Sequence, residues 1–342
     1  GNGLTFTGGA GTDILAIDDG ATVDQNNRLT LDSVEVISTD ANYTVDARDI
    51  SGKSLVLTGD SGGADVVTVN ATNTTTVDLS NITVNTTETT VTVNSVSGIA
   101  STINGTNGVD TITGAAGGDT INGNAGDDIL DGEGEADIVD GGAGDDDITF
   151  ELENGASDTL TGGTGLDEFI MAVTTATDPQ ATEVTDFTVS EDDNLDLSET
   201  AIEGVEADGT DNIASIIDGG GSDVTGATAL GIELVDSDDQ EVAAGSDIFL
   251  LDGQNTNASA LSAIQGTGDR TIDLNGGGMT NADNEGILIA YDTGDGITIG
   301  VAQFNAPTSE GDTANVDGLV DLVELTGLSA SDFQNADVDL IT

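Results

Sequence analysis

Aliphatic residues in the first hundred positions alternate with Thr, Ser, Asn and Asp. The segments RLTLDSVEVIS (28–38), KSLVLTG (53–59), ADVVTVN (64–70), TTVDLSNITVN (75–85) and TTVTVNSVSGI (89–99) all show this alternation. A period of two predicts half-buried strands, and Val and Thr favour that state. At Gly105 the period changes to nine. The chain reads GTNGVDTIT (105–113), GAAGGDTIN (114–122), GNAGDDILD (123–131), GEGEADIVD (132–140) and GGAGDDDIT (141–149). Each block opens on Gly, carries Asp at its sixth place and Ile, Leu or Val at its eighth. Gly also holds the fourth place except at Glu135. Beyond 171 the strands become less regular: EVTDFTVSEDDNLDLSE (183–199), SDIFLLDG (246–253), EGILIAYDTGDGITIGVAQF (285–304) and LVDLVELTG (319–327). Thr293–Gly296 predicts a hairpin turn. NASALSAIQ (257–265) predicts a short helix capped by Asn257 and stopped at Gly266.

The nonapeptide columns have physical reasons. Gly at places one and four suits a turn with positive φ, or a close approach of backbones where a Cβ would clash. The eighth place sits in a short strand and points inward while its neighbours point outward. Two blocks then make one coil, and coils stack about 4.8 Å apart. A flexible acidic linker does not hold an aliphatic residue at one phase through five blocks. The expected fold is all-β: a right-handed parallel β-roll or β-helix solenoid with a C-terminal β-rich capping domain. Residues 1–104 form a strand-rich β-helix-like region, 105–170 the roll and 171–342 the cap. A separate β-sandwich is the competing expectation for 1–104.

Composition narrows the chemistry. The chain has 65 acids against 4 bases, a formal net charge of -61, and no His, Cys or Trp. Nucleic acid is a poor partner, because Arg28, Arg48, Lys53 and Arg270 form no basic patch. Disulfides, His- or Cys-ligated zinc and His- or Cys-based catalysis are impossible. No apolar run is long enough for a membrane helix, so membrane insertion is not expected. The chain opens at Gly1 without Met, as a processed product or a fragment does. The Asn-x-Thr/Ser triplets at Asn42, Asn70, Asn73, Asn81 and Asn85 follow from the Thr/Asn-rich strands, with glycan attachment the competing reading.

What remains is oxygen chemistry for hard cations. Stacking places sixth-place carboxylates above one another, Asp110, Asp128 and Asp146 on one edge and Asp119 and Asp137 on the other. Two unit charges about 5 Å apart cost roughly 3 kcal/mol at an effective dielectric of about 20. A divalent cation turns that repulsion into coordination. Ca²⁺ suits it best, because it takes several oxygens in flexible geometry. Asp127, Asp145 and Asp147 add local charge.

These blocks resemble the RTX calcium-binding β-roll family, whose nonapeptide is G-G-x-G-x-D-x-U-x with U aliphatic. GGAGDDDIT (141–149) matches every place, as do GGAGTDILA (8–16) and, with Phe169 as U, GGTGLDEFI (162–170). A three-residue insertion (150–152) precedes the weaker block ENGASDTLT (153–161), and DSGGADVVT (60–68) keeps only Gly63, Asp65 and Val67. The resemblance implies several Ca²⁺ ions held by Asp110, Asp119, Asp128, Asp137, Asp146, Asp158 and Asp167, with Asp13 and Asp65 as outlying candidates. Backbone oxygens near Gly105, Gly108, Gly114, Gly117, Gly123, Gly126, Gly132, Gly141, Gly144, Gly162 and Gly165 would complete the shells. Asp186, Asp193 and Asp196 are either a terminal cation site or solvated turn acids. The segment at 183–199 and the end at 325–342 also look like the closing strands of such proteins.

No H-E-x-x-H motif, no nucleophile elbow with a His partner and no sugar-stacking Trp is present, so catalysis is not expected. Two non-enzymatic functions fit. One is an extracellular structural protein, resembling RTX-type surface-layer proteins and exported by type I secretion. It would assemble with other copies of itself into an array or filament, with cell-surface polysaccharide as a further candidate partner. The other is the C-terminal part of a secreted adhesin with a ligand-binding role.

Overall fold

The computed structural model describes residues 4–17, 22–23, 29–39, 42–59, 65–71, 74–85, 89–95, 98–152, 155–172, 180–198, 201–202, 215–216, 232–235, 240–241, 248–251, 256, 260, 272–273, 285–304, 316–334 and 336–341. Strands and turns account for nearly all of them. The chain divides into two compact units, Gly1–Thr149 with Thr161–Asp167, and Phe150–Leu160 with Glu168–Thr342.

The first unit is a parallel β-solenoid. In its longer sheet, strands Tyr43–Asp46, Asp65–Asn70, Thr89–Asn94, Asp110–Thr113 and Ile129–Asp131, then residues 147–149, pair side by side and in register. A second sheet stacks Thr76–Asp78, Thr102–Asn104, Thr120–Ala125 and Ile138–Ala143 in the same way. A third joins Ile82–Val84, Leu55–Thr58, Val36–Thr39 and Ile14–Ile17. Eighth-place residues Ile112, Ile121, Leu130, Val139 and Ile148 are all buried, as are Val69, Val77, Val93 and Ile103 in the coils before them. Pairing of Val91 with Asp110 makes the upstream strands a continuation of the solenoid rather than a separate sandwich. Coil length differs along it: Asn70 and Asn94 stack 24 residues apart, Asp110 and Asp128 only 18.

Solenoid corners break several expected strands. The stretch 28–38 is two strands, Leu29–Asp32 and Val36–Thr39, that pair in different sheets, with Ser33 between them at φ 55°. Likewise 75–85 is Thr76–Asp78 and Ile82–Val84 around a corner at Leu79, whose N–H donates to the Asn104 carbonyl at 2.9 Å. Alternation continues through such corners, so period two alone does not mark them.

The second unit holds the antiparallel hairpin Glu285–Asp292 and Gly296–Phe304, followed by Val316–Thr326. Its turn is the expected one: the Thr293 N–H donates to the Gly296 carbonyl at 2.8 Å, and Gly294 sits at φ 89°. Glu168–Met171, Asn194–Ser198 and Asp337–Ile341 pair in parallel. The rings of Phe169 and Phe187 pack 6.2 Å apart, near the buried Leu195 and Leu197 that alternate with polar neighbours. Apart from Ala260, the expected helix at 257–265 lies outside the described residues.

Candidate metal centre

Strand pairing brings the sixth-place Asp side chains into two inward-facing ladders in the first unit. The Asp110 N–H donates to Oδ1 of Asp128 at 2.7 Å, the Asp128 N–H to Asp146 at 2.8 Å, and the Asp146 N–H to Asp167 at 3.0 Å. On the other sheet the Ser101 N–H donates to Asp119, and the Asp119 N–H to Asp137 at 2.6 Å. Every rung therefore ties one carboxylate to the backbone of its neighbour. Asp146 and Asp167 are 21 residues apart rather than 18, so the insertion at 150–152 leaves the ladder in register.

The ladder carboxylates lie inside the coil, not on a solvated edge. Asp110 and Asp146 have no exposed surface, and Asp119, Asp128, Asp137 and Asp167 are almost as deeply buried. Burial without a counter-charge favours the protonated form. Desolvation pushes Asp110 up to about 8 despite the opposing Thr106 N–H, with the Asp128 charge adding to the rise. Asp146 reaches about 7 and Asp128 about 6, again mainly by desolvation. Burial also raises Asp119 and the neighbouring Asp147.

First-place glycines are needed for space, not for an unusual φ. A Cβ on Gly105 would lie 2.7 Å from both Asp110 Oδ2 and the Gly123 carbonyl. A Cβ on Gly141 would lie 2.5 Å from Asp146 Oδ2 and 2.6 Å from the Gly162 carbonyl. The cradle over Gly123 is built alike from Asp128 Oδ2 and the Gly141 carbonyl. Positive φ belongs instead to fourth-place Gly126, Gly144 and Gly165 and to second-place Asn124, Glu133, Gly142 and Gly163. Glu135, where the repeat wants Gly, adopts φ 76° regardless.

Second-place conformation separates two kinds of block. Where φ is negative, the second-place N–H turns onto its own block's carboxylate: Thr106 to Asp110 Oδ2 at 2.6 Å, Ala115 to Asp119 Oδ2 at 2.8 Å and Gly9 to Asp13 Oδ2 at 2.7 Å. In the blocks opened by Gly123 and Gly141 it turns away, and Asp128 Oδ2 and Asp146 Oδ2 are buried without a hydrogen bond. Asp110 Oδ1, at the head of its ladder, is also buried and unbonded. Paired carboxylates, bare oxygens and carbonyls facing one cradle fit Ca²⁺, which takes oxygen ligands in loose geometry. Among the described residues no cluster of three acidic side chains converges, so such a site would draw on backbone carbonyls beside an Asp pair.

The outlying candidates differ. Asp13 is half-buried, and its N–H donates to the Glu35 carboxylate at 2.9 Å, a partner one coil on that no repeat position announces. Asp65 is buried but stands opposite Thr89, in neither ladder. Asp158, in the second unit, is buried, and its carbonyl accepts from the Glu183 N–H at 2.9 Å. Asp193 accepts from the Thr188 N–H at 2.7 Å and Asp196 from the Asn194 amide at 3.0 Å, while Asp186 is half-buried. Fifth-place Asp127 and Asp145 form an exposed outer line, accepting from the Asp145 N–H at 3.1 Å and the Leu166 N–H at 2.9 Å.

No curated protein and no solved structure matches the chain significantly. A family profile, the RTX calcium-binding nonapeptide repeat in four copies, matches residues 104–139 and 113–148, which hold Asp110, Asp119, Asp128, Asp137 and Asp146. Residues 104–148 are thus RTX calcium-binding nonapeptide repeats, and these repeats bind Ca²⁺.

Proposed function

We propose that this is an extracellular structural protein, folded by Ca²⁺ and assembled with its own copies into a surface layer or filament. The observation that carries the reading is the pair of bare, buried carboxylate oxygens at Asp128 and Asp146, each facing a glycine carbonyl of the next coil. Bound there, Ca²⁺ supplies the counter-charge that the ladders lack. Asp128, Asp146 and Asp167, with the carbonyls of Gly141 and Gly162, are the residues that would hold it. Where free Ca²⁺ is low, as in a cytosol, the ladders disfavour folding and the chain stays exportable by type I secretion. Outside, folding is coupled to metal. A chain without His, Cys or Trp offers little for catalysis and much for scaffolding.

Electron microscopy of the purified protein with millimolar Ca²⁺ and with EGTA tests the assembly. Ordered sheets or filaments that dissolve in chelator are expected. Particles that stay monomeric in Ca²⁺ would favour the second reading, a secreted adhesin segment.

A further inference from the structure

Four first-place cradles in the first unit are framed by the same two oxygens, the block's own Asp Oδ2 and a glycine carbonyl one coil on. Gly105 faces Asp110 and Gly123, Gly114 faces Asp119 and Gly132, Gly123 faces Asp128 and Gly141, and Gly141 faces Asp146 and Gly162. One group differs among them. Into the cradles of Gly105 and Gly114 the second-place N–H enters, Thr106 and Ala115 donating to Oδ2 at 2.6 and 2.8 Å. The Thr106 hydroxyl donates to the same oxygen at 3.0 Å and accepts the Gly108 N–H at 3.1 Å, which pins that turn. In the cradles of Gly123 and Gly141 the second-place residues Asn124 and Gly142 sit at φ 75° and 109°, and Oδ2 is buried and bare. Glu133, at φ 65°, shows where such an N–H goes: it donates to Asp131 of the preceding block at 2.8 Å.

The two arrangements meet one need in different ways. A carboxylate oxygen drawn out of water requires a donor or a cation. Asp119 has a donor on each oxygen, the Ser101 N–H on Oδ1 and the Ala115 N–H on Oδ2. An N–H directed into a cradle also brings the positive end of its peptide dipole to the place an ion would take, and such N–H groups suit anions, not cations. Admitting Ca²⁺ there requires the second-place peptide to turn over and its φ to become positive. A β-branched residue such as Thr106 resists that angle, whereas Gly and Asn tolerate it. Residue type does not set the choice alone, since Gly9 also turns inward, onto Asp13. Asp110 Oδ1, the bare oxygen of a closed block, does not reopen it. In this ladder Oδ1 turns to the preceding coil, and the residue opposite Asp110 there is Val91, which offers no second carboxylate.

We propose that the second-place N–H gates each cradle, so that Ca²⁺ enters at Gly123 and Gly141 and is excluded at Gly105 and Gly114. The inference rests on Ca²⁺ binding by the repeats but not on self-assembly, so assembly can fail without it. The test uses the full chain, with Ca²⁺ as the probe. Bound ions per chain are counted by equilibrium dialysis for the wild type, Asp119→Asn and Asp128→Asn, and circular dichroism checks folding. Fewer ions in Asp128→Asn, with the wild-type number in Asp119→Asn, is the expected result. Equal loss in the two variants, or no loss in Asp128→Asn, would overturn the gate. A wild type that binds no Ca²⁺ would overturn the metal binding itself, a different failure. Should Asp119→Asn misfold, a crystal structure of the wild type grown in Ca²⁺ decides without any substitution. Ions over Gly123 and Gly141 alone among the four cradles are expected there, and an ion over Gly105 or Gly114 would refute the proposal.

Discussion

One inward-facing line of the longer sheet runs through Tyr43, Val67 and Val91, then through Asp110, Asp128 and Asp146. Backbone pairing is the same on both sides of Val91, yet the side chains demand opposite things. Burying each apolar group contributes about 1.5–3 kcal/mol. A buried carboxylate without a counter-charge costs several kcal/mol unless it takes a proton or a cation. Along this line the upstream coils need no counter-charge, whereas the repeat coils call for a proton or a cation. Parallel pairing alone does not decide whether a solenoid needs metal; one column of side chains does.

Chelation should separate the two regions most sharply. In EGTA at pH 8, amide exchange should accelerate strongly across 123–149 while strands Asp65–Asn70 and Thr89–Asn94 stay protected. Loss of protection in both regions together would remove the distinction. A smaller effect is expected when both bare carboxylates are neutralised. Asp128→Asn with Asp146→Asn should raise the metal-free melting point, by a stabilisation within about 1–4 kcal/mol. It should also flatten the Ca²⁺ titration followed by circular dichroism; a titration as steep as the wild type's would refute the cradle.

Acid should act as a partial substitute for metal. Asp110 at about 8, Asp146 at about 7 and Asp128 at about 6 keep protons in the metal-free fold that the unfolded chain releases near 3.8. Stability of the metal-free protein is therefore highest below about pH 4 for these groups and falls as pH rises toward 8. Apparent Ca²⁺ affinity changes the other way, weakening as pH drops through that window. Thermal melts in EGTA from pH 4 to 8 check the slope. The smallest effect concerns Glu135, held at φ 76°. Glu135→Gly should stabilise the roll by about 1 kcal/mol, the usual penalty of a left-handed non-glycine residue, read as a raised denaturant midpoint.

Much of the repeat region was legible because its period is constant. Ile112, Leu130 and Ile148 fall eighteen apart, so the core column and the stacking of Asp128 on Asp146 follow from counting. The upstream coils were legible as strands but not as coils. Their Thr92 and Thr111 align only because coil length shrinks from 24 residues, and nothing in the local pattern announces that change. Pairing of Asp13 with Glu35 was hidden for the same reason. The space over Gly123 was also invisible in one dimension, since its carbonyl neighbour, Gly141, belongs to the next coil. Whether a second-place N–H turns onto its carboxylate depends on a backbone angle that Thr106 and Asn124 do not declare by type.

The unbroken ladder between Asp146 and Asp167 has a practical consequence. Three additional residues are accommodated there while each carboxylate still meets its neighbour's N–H, at 3.0 Å. A corner that absorbs extra length without shifting register is a splice point. Foreign loops placed after Leu152 should therefore leave the Asp ladder in register, which makes this corner a place to display inserted sequences on the solenoid.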